Sequence, residues 1–146
     1  PAMREIPPAE TPGESAEAAA ARAAAEERAR RLEVEFLEGV RARLPDHPAV
    51  VESLGCLYTE MGRYQDGLAA DRRMVKMEPG SPIAWYNLAC SLSLTGQADA
   101  AFAALEKAVA LGYDDAEWMQ DDDDFAPIKQ DPRFARILAQ LLARKA

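Results

Sequence analysis

Apolar positions recur along this chain at helical rather than strand spacing. Leu32, Phe36, Leu37, Val40 and Leu44 trace one face of a helix that Pro45 and Pro48 bring to an end. The stretch before them, from Ser15, consists of Ala, Glu and Arg and has no apolar face. Its Glu26–Arg30 and Glu27–Arg31 pairs stand at the favourable spacing of four, and its composition is strongly helix-forming. No glycine break falls near Arg28, so residues 15–47 read as one long N-terminal capping helix whose second half packs on the next element, in preference to a degenerate hairpin. Residues 1–14 hold Pro1, Pro7, Pro8 and Pro12 among scattered charges, sustain neither periodicity, and read as a tail or linker.

After residue 47 the pattern repeats. At a spacing of 34, Pro48 matches Pro82, Leu54 matches Leu88, Cys56 matches Cys90 and Gly62 matches Gly96. Each glycine breaks a run of helical pattern on both sides, so each unit is helix, tight turn, helix. The proline opens the first helix, where a missing N–H costs nothing, and Ser81 stands ready as an N-cap ahead of Pro82.

These units resemble tetratricopeptide repeats. The first, residues 48–81, offers Val51, Leu54-Gly55, Tyr58, Gly67 and Pro79; the second, residues 82–115, offers Trp85, Leu88-Ala89, Leu92, Ala101 and Leu105. Small residues stand where the helices of a hairpin approach closely, and large ones such as Tyr58 and Trp85 fill the space between helices. Asp71 departs from the pattern at an apolar position, and Tyr113 replaces the second closing proline. Residues 116–146 comprise an acidic segment followed by a capping helix, similar to the segment closing many bacterial arrays of this family. Asp131 and Pro132 start that helix, and Phe134, Ile137, Leu138, Leu141 and Leu142 give it a stripe that seals the last hairpin. The implied fold is all-α: a short right-handed solenoid of antiparallel hairpins between two capping helices.

Composition narrows the function. About a fifth of the chain is alanine, while aromatics make up only 7%, so burial relies on small side chains in close-packed helices. The formal net charge is −8, which disfavours nucleic acid and anionic membrane surfaces as partners. That charge is local. Asp114, Asp115, Glu117, Asp121, Asp122, Asp123 and Asp124 supply seven acids without a base, and the remaining residues are nearly balanced. The segment forms an acidic patch that a cationic partner would use. Two cysteines fit a reducing compartment and a cytoplasmic location. They occupy equivalent places in stacked helices, which lie too far apart for a disulfide, so both are expected as free thiols.

Little in the sequence carries catalysis. His47 lacks a second histidine or a linked nucleophile and reads as a solvated turn residue; there is no phosphate loop and no metal-binding histidine pair, so neither an enzyme nor a cofactor is expected. A calcium loop over the aspartate run would need a glycine at Ala126 and a glutamate at Pro132. No metal is expected there.

The family resemblance implies a concave groove lined by the first helix of each repeat and occupied by a peptide or partner helix. It assigns Glu52, Cys56, Thr59, Ile83, Tyr86, Asn87 and Cys90 to that groove. Asn87 matches a position used in the family to hold a peptide, whereas Glu52, Cys56, Glu117 and Asp121 stand where carboxylate-clamping members carry Lys, Asn, Lys and Arg. Acids there repel a C-terminal carboxylate and favour a basic or amphipathic peptide. The expectation is a non-enzymatic adaptor or scaffold that binds a protein partner. The alternative is a regulatory or dimerising appendage of a larger enzyme or signalling protein, suggested by the start at Pro1 and the linker-like opening. Homo-oligomerisation through the N-terminal helix is a third expectation.

Overall fold

The computed structural model describes residues 13–145, so all but the last two residues of the expected tail at residues 1–14 lie outside the described residues. Among the described residues seven α-helices succeed one another: α1 (Ala16–Arg43), α2 (Pro48–Glu60), α3 (Tyr64–Met77), α4 (Pro82–Leu94), α5 (Ala98–Ala110), α6 (Ala116–Asp121) and α7 (Pro132–Arg144), with a 3-10 turn at Asp123–Phe125. No strand occurs among the described residues. None of these helices is long and apolar enough to cross a membrane.

The repeat at 34 is a repeat of hydrogen bonds as well as of residues. Arg63 N–H donates to the Tyr58 carbonyl at 2.8 Å, and Gln97 N–H donates to the Leu92 carbonyl at 2.9 Å. Each bond wraps around a glycine in the left-handed region, Gly62 at φ 75° and Gly96 at φ 76°, where a side chain would be strained. This closes α2 against α3 and α4 against α5 as tight hairpins. Pro48 and Pro82 lie in the first turns of α2 and α4, and Ser81 Oγ accepts from Ala84 N–H at 3.2 Å.

The helices stack in order, with α1 on α2, α3 on α4, and α7 closing against α5 and α6. Tyr86, Ala89, Ala101, Leu105, Met119, Phe125 and Ile137 belong to one apolar core in the second repeat and terminal segment. A smaller core joins α1 to α2 through Val34, Val50, Leu54, Leu57 and Tyr58. Val51, Ala70, Met74 and Ala84 form a third between the repeats. Asp131 caps α7 by accepting from Arg133 N–H at 3.0 Å.

Two expectations are corrected. Helix α1 runs unbroken from Ala16 to Arg43, yet its buried face is set by Val34, with Leu37 and Val40 half-buried beside it. Leu32 and Phe36 remain 67% and 70% exposed, and Leu44 is also exposed. A helix turned to bury Val34 against α2 directs residues two positions to either side roughly 160° away, because successive side chains turn about 100°. On α7, Phe134, Ile137 and Leu141 are buried, while Leu142 lies on the solvent side of the stripe.

Candidate functional site

The first helices of the two hairpins, α2 and α4, carry the side chains assigned to a groove. Glu52, Cys56 and Ile83 are partly accessible. Thr59, Tyr86, Asn87 and Cys90 are buried, which corrects their expected outward orientation. Local packing accounts for Thr59: its hydroxyl donates to the Gly55 carbonyl at 3.0 Å, and its Oγ would lie only 2.9 Å from a Cβ placed on Gly67.

Tyr86 and Cys90 are buried by the chain's own acidic segment. After α6 the backbone turns back, and the 3-10 turn at Asp123–Phe125 packs on α4. The Tyr86 ring stacks on Tyr113 at 4.3 Å between centroids and meets Phe125 edge-on at 5.4 Å. Its hydroxyl donates to Asp122 Oδ2 at 2.8 Å, and Cys90 Sγ lies 3.7 Å from the same oxygen. Asp122 also caps the turn by accepting from Asp124 N–H at 3.0 Å. The acidic segment is therefore divided: Asp114, Asp115, Glu117, Asp121 and Asp123 are exposed, whereas Asp122 and Asp124 point inward and are buried. A run of four aspartates gave no indication that alternate members would turn inward, and the only available signal was the apolar Phe125 that anchors the turn.

A further buried acid lies between the repeats. Asp71 on α3 accepts a short hydrogen bond from Ser91 Oγ on α4. Burial raises its carboxyl to about 6, partly opposed by that hydrogen bond, and the charges of Asp124 and Glu52 push it in the same direction as burial. Glu52 is raised by burial and by Glu78. The Cys56 thiol is pushed up to about 12 by burial, with Asp71, Glu52 and Glu60 adding to the effect. Burial likewise holds the Cys90 thiol well above its ordinary value, reinforced by Asp122, Asp124 and Asp71. The two cysteines, both free thiols, thus sit within one field of carboxylates contributed by α2, α3 and the terminal segment.

This arrangement bears on chemistry in two ways. Thiols held protonated by burial and negative surroundings are poor nucleophiles. Cys90, Asp122 and Asp124 bring potential ligand atoms within 4.8 Å of one another, but a firmly protonated thiol beside two hard carboxylates is a poor metal set. His47 is exposed at the start of α2 and its side chain makes no capping bond.

Comparison with known proteins agrees with this architecture. The family model described as Tetratricopeptide repeat matches residues 83–111, which span α4 and α5. A chloroplastic protein of Arabidopsis thaliana is 28% identical over 89 residues, covering 59% of this chain, and the match spans only 27% of that protein's length. The solved structure of MamA MSR-1 C2 superposes with a TM-score of 0.63 at 21% identity, covering 81% of this chain and 70% of that one. Residues 83–111 thus match a tetratricopeptide repeat, and the helical hairpins recurring at 34 residues share the fold of the MamA structure.

Proposed function

We propose that this chain is a non-enzymatic protein-interaction module that takes a basic or amphipathic peptide along the concave side of α2 and α4. The observation that carries this reading is the convergence of Glu52, Glu60 and Asp71 around the partly accessible Cys56. A lysine or arginine entering this region would find carboxylates already held partly out of water, where an opposite charge is worth more than at an open surface. Because the terminal segment covers Tyr86 and Cys90, the accessible part of the groove is the α2 side, with Glu52, Cys56 and Ile83 along it. The exposed acids Asp114, Asp115, Glu117, Asp121 and Asp123 form a separate patch that would steer a cationic ligand at low salt and be screened at high salt.

Calorimetric titration with a short Lys/Arg-rich helical peptide and with its Glu-substituted counterpart tests the proposal. The basic peptide should bind, and Glu52→Lys should weaken it at least tenfold while circular dichroism remains unchanged. Neutralising Asp114, Asp115 and Asp123 to Asn should reduce the salt dependence more than the affinity. Equal binding of both peptides, or binding indifferent to Glu52→Lys, would remove the groove from the account.

Self-association through α1 is a second reading, favoured by the exposed Leu32 and Phe36.

A further inference from the structure

Helix α1 carries two faces on opposite sides. One holds Val34 and packs on α2. At about 100° per residue the other holds Ala18, Ala21, Ala25, Leu32, Phe36 and Gly39, and all six are exposed. A Cβ placed on Gly39 would meet nothing within 4 Å. The stripe runs for about 30 Å, because α1 is about twice as long as the α2 helix that covers it. Arg30 lies beside Glu60, the last residue of α2, at 3.6 Å, so nearly four turns of α1 precede the level at which α2 ends.

We propose that a second copy of this chain packs on this stripe with its α1 antiparallel, about a dyad between Arg28 and Ala29. This rests on the self-association reading and specifies its geometry. The stripe is uneven: its first half is alanine, and its bulk lies in Leu32 and Phe36. About that dyad, Leu32 faces Ala25 of the partner subunit, Phe36 faces Ala21 of the partner subunit, and Gly39 faces Ala18 of the partner subunit. Every large residue meets a small one, so the helices close to an even separation along their length. A parallel pair would set Leu32 on its own copy and Phe36 on its own copy, holding the alanine halves apart.

Charge favours the same arrangement. Residues 16–31 contain four arginines against three glutamates, and residues 32–43 contain three glutamates against two arginines. The antiparallel pair therefore sets a slightly positive half against a slightly negative one, with opposed helix dipoles. The whole helix is neutral in a chain of net charge −8, so the net charge does not oppose two copies meeting at this surface. The face holding Val34 points away from the dyad, which places the two repeat arrays on the outside of the pair without collision.

Sedimentation and thiol cross-linking test the proposal. The full chain should show a concentration-dependent species of twice 15.9 kDa. The double substitution Leu32→Glu with Phe36→Glu should abolish that species while leaving helicity unchanged, since both side chains are exposed in the monomer. In a Cys56→Ser background, Ala29→Cys near the dyad should link two copies through a short bifunctional thiol reagent. Ala18→Cys should not, because the two copies of that residue lie about 30 Å apart. A monomer at all concentrations, or a dimer that survives the double substitution, would overturn self-association through α1. A dimer lost in the double variant but linked through Ala18→Cys, whether or not Ala29→Cys also links, would overturn the antiparallel register alone.

Discussion

Ser91 on α4 donates its hydroxyl hydrogen to the buried carboxylate of Asp71 on α3, placing a polar link at the seam between the two repeats. The equivalent of Asp71 in the second repeat is the buried, apolar Leu105, so the link belongs to one hairpin and not to the repeat pattern.

Asp71 gives the fold an unusual response to acid. Its folded value of about 6 lies above the ordinary 3.8, so the native state binds a proton in preference to the unfolded chain. The ionised form is the one that burial penalises. As pH falls from 7 through 6 towards 4, this group should therefore stabilise the protein, by at most about 3 kcal/mol for a displacement of that size. The exposed Asp131 acts in the opposite direction, because hydrogen bonds from Arg133 hold its carboxyl at about 2 and its contribution is lost only as pH falls through that range. Urea unfolding at pH 7 and pH 5 should show a higher midpoint at pH 5 in the wild type, and a smaller rise in Asp71→Asn. An identical slope in both would mean that Asp71 does not titrate in this range.

Gly55 is required by Asp71 and not by the helix. A Cβ there would stand 2.9 Å from Asp71 Oδ1 and 3.5 Å from the Ala70 Cβ, and Asp71 is held in place by Ser91. The second repeat carries Ala89 at the matching position and Leu105 opposite, without a carboxylate. Gly→Ala in a free helix interior gains up to about 1 kcal/mol. Here Gly55→Ala should instead lower stability by about 1–3 kcal/mol through overpacking. In an Asp71→Ala background the same change should be neutral or stabilising, a coupling that a double-mutant cycle on urea midpoints would measure.

How far the sequence revealed this molecule differs from element to element. Turn chemistry was local and therefore legible: Gly62, Gly96, Ser81 and Asp131 take the roles that their residue types imply. Helix orientation was not. Leu32 and Phe36 on one face of α1 are bulkier than Val34 on the other, yet α2 packs on the face with Val34, Leu37 and Val40, and spacing alone does not say which of two apolar faces a neighbour will cover. The burial of Tyr86 and Cys90 has a tertiary cause, since both would line an open concave surface if Asp122–Phe125 did not fold back over them.

That closure can be tested at Tyr86. Removing its hydroxyl leaves Asp122 buried with one donor fewer, and a buried carboxylate that loses a partner costs about 1–3 kcal/mol. Tyr86→Phe should lower the thermal midpoint and speed amide exchange at Asp124 and Phe125. Cys90, inaccessible in the wild type, should become reactive towards a thiol reagent at a rate that tracks the loosening of the terminal segment. Unchanged exchange at Asp124 would show that the ring contacts with Tyr113 and Phe125 hold the segment without the hydroxyl.

The orientation of α1 is decided by comparing two truncations two residues apart. Val34 is 3% exposed against α2, so Val34→Ala removes buried methyl groups beside Leu54 and Leu57 and should cost about 1–3 kcal/mol. Leu32 is 67% exposed, and Leu32→Ala should change monomer stability by no more than about 0.5 kcal/mol, with the higher helix propensity of alanine offsetting the small amount of apolar burial given up. Chemical unfolding of both variants, in dilute solution where any dimer has dissociated, separates the two. A large loss in Leu32→Ala with none in Val34→Ala would reverse the assignment of the faces and return the exposed stripe to the interior.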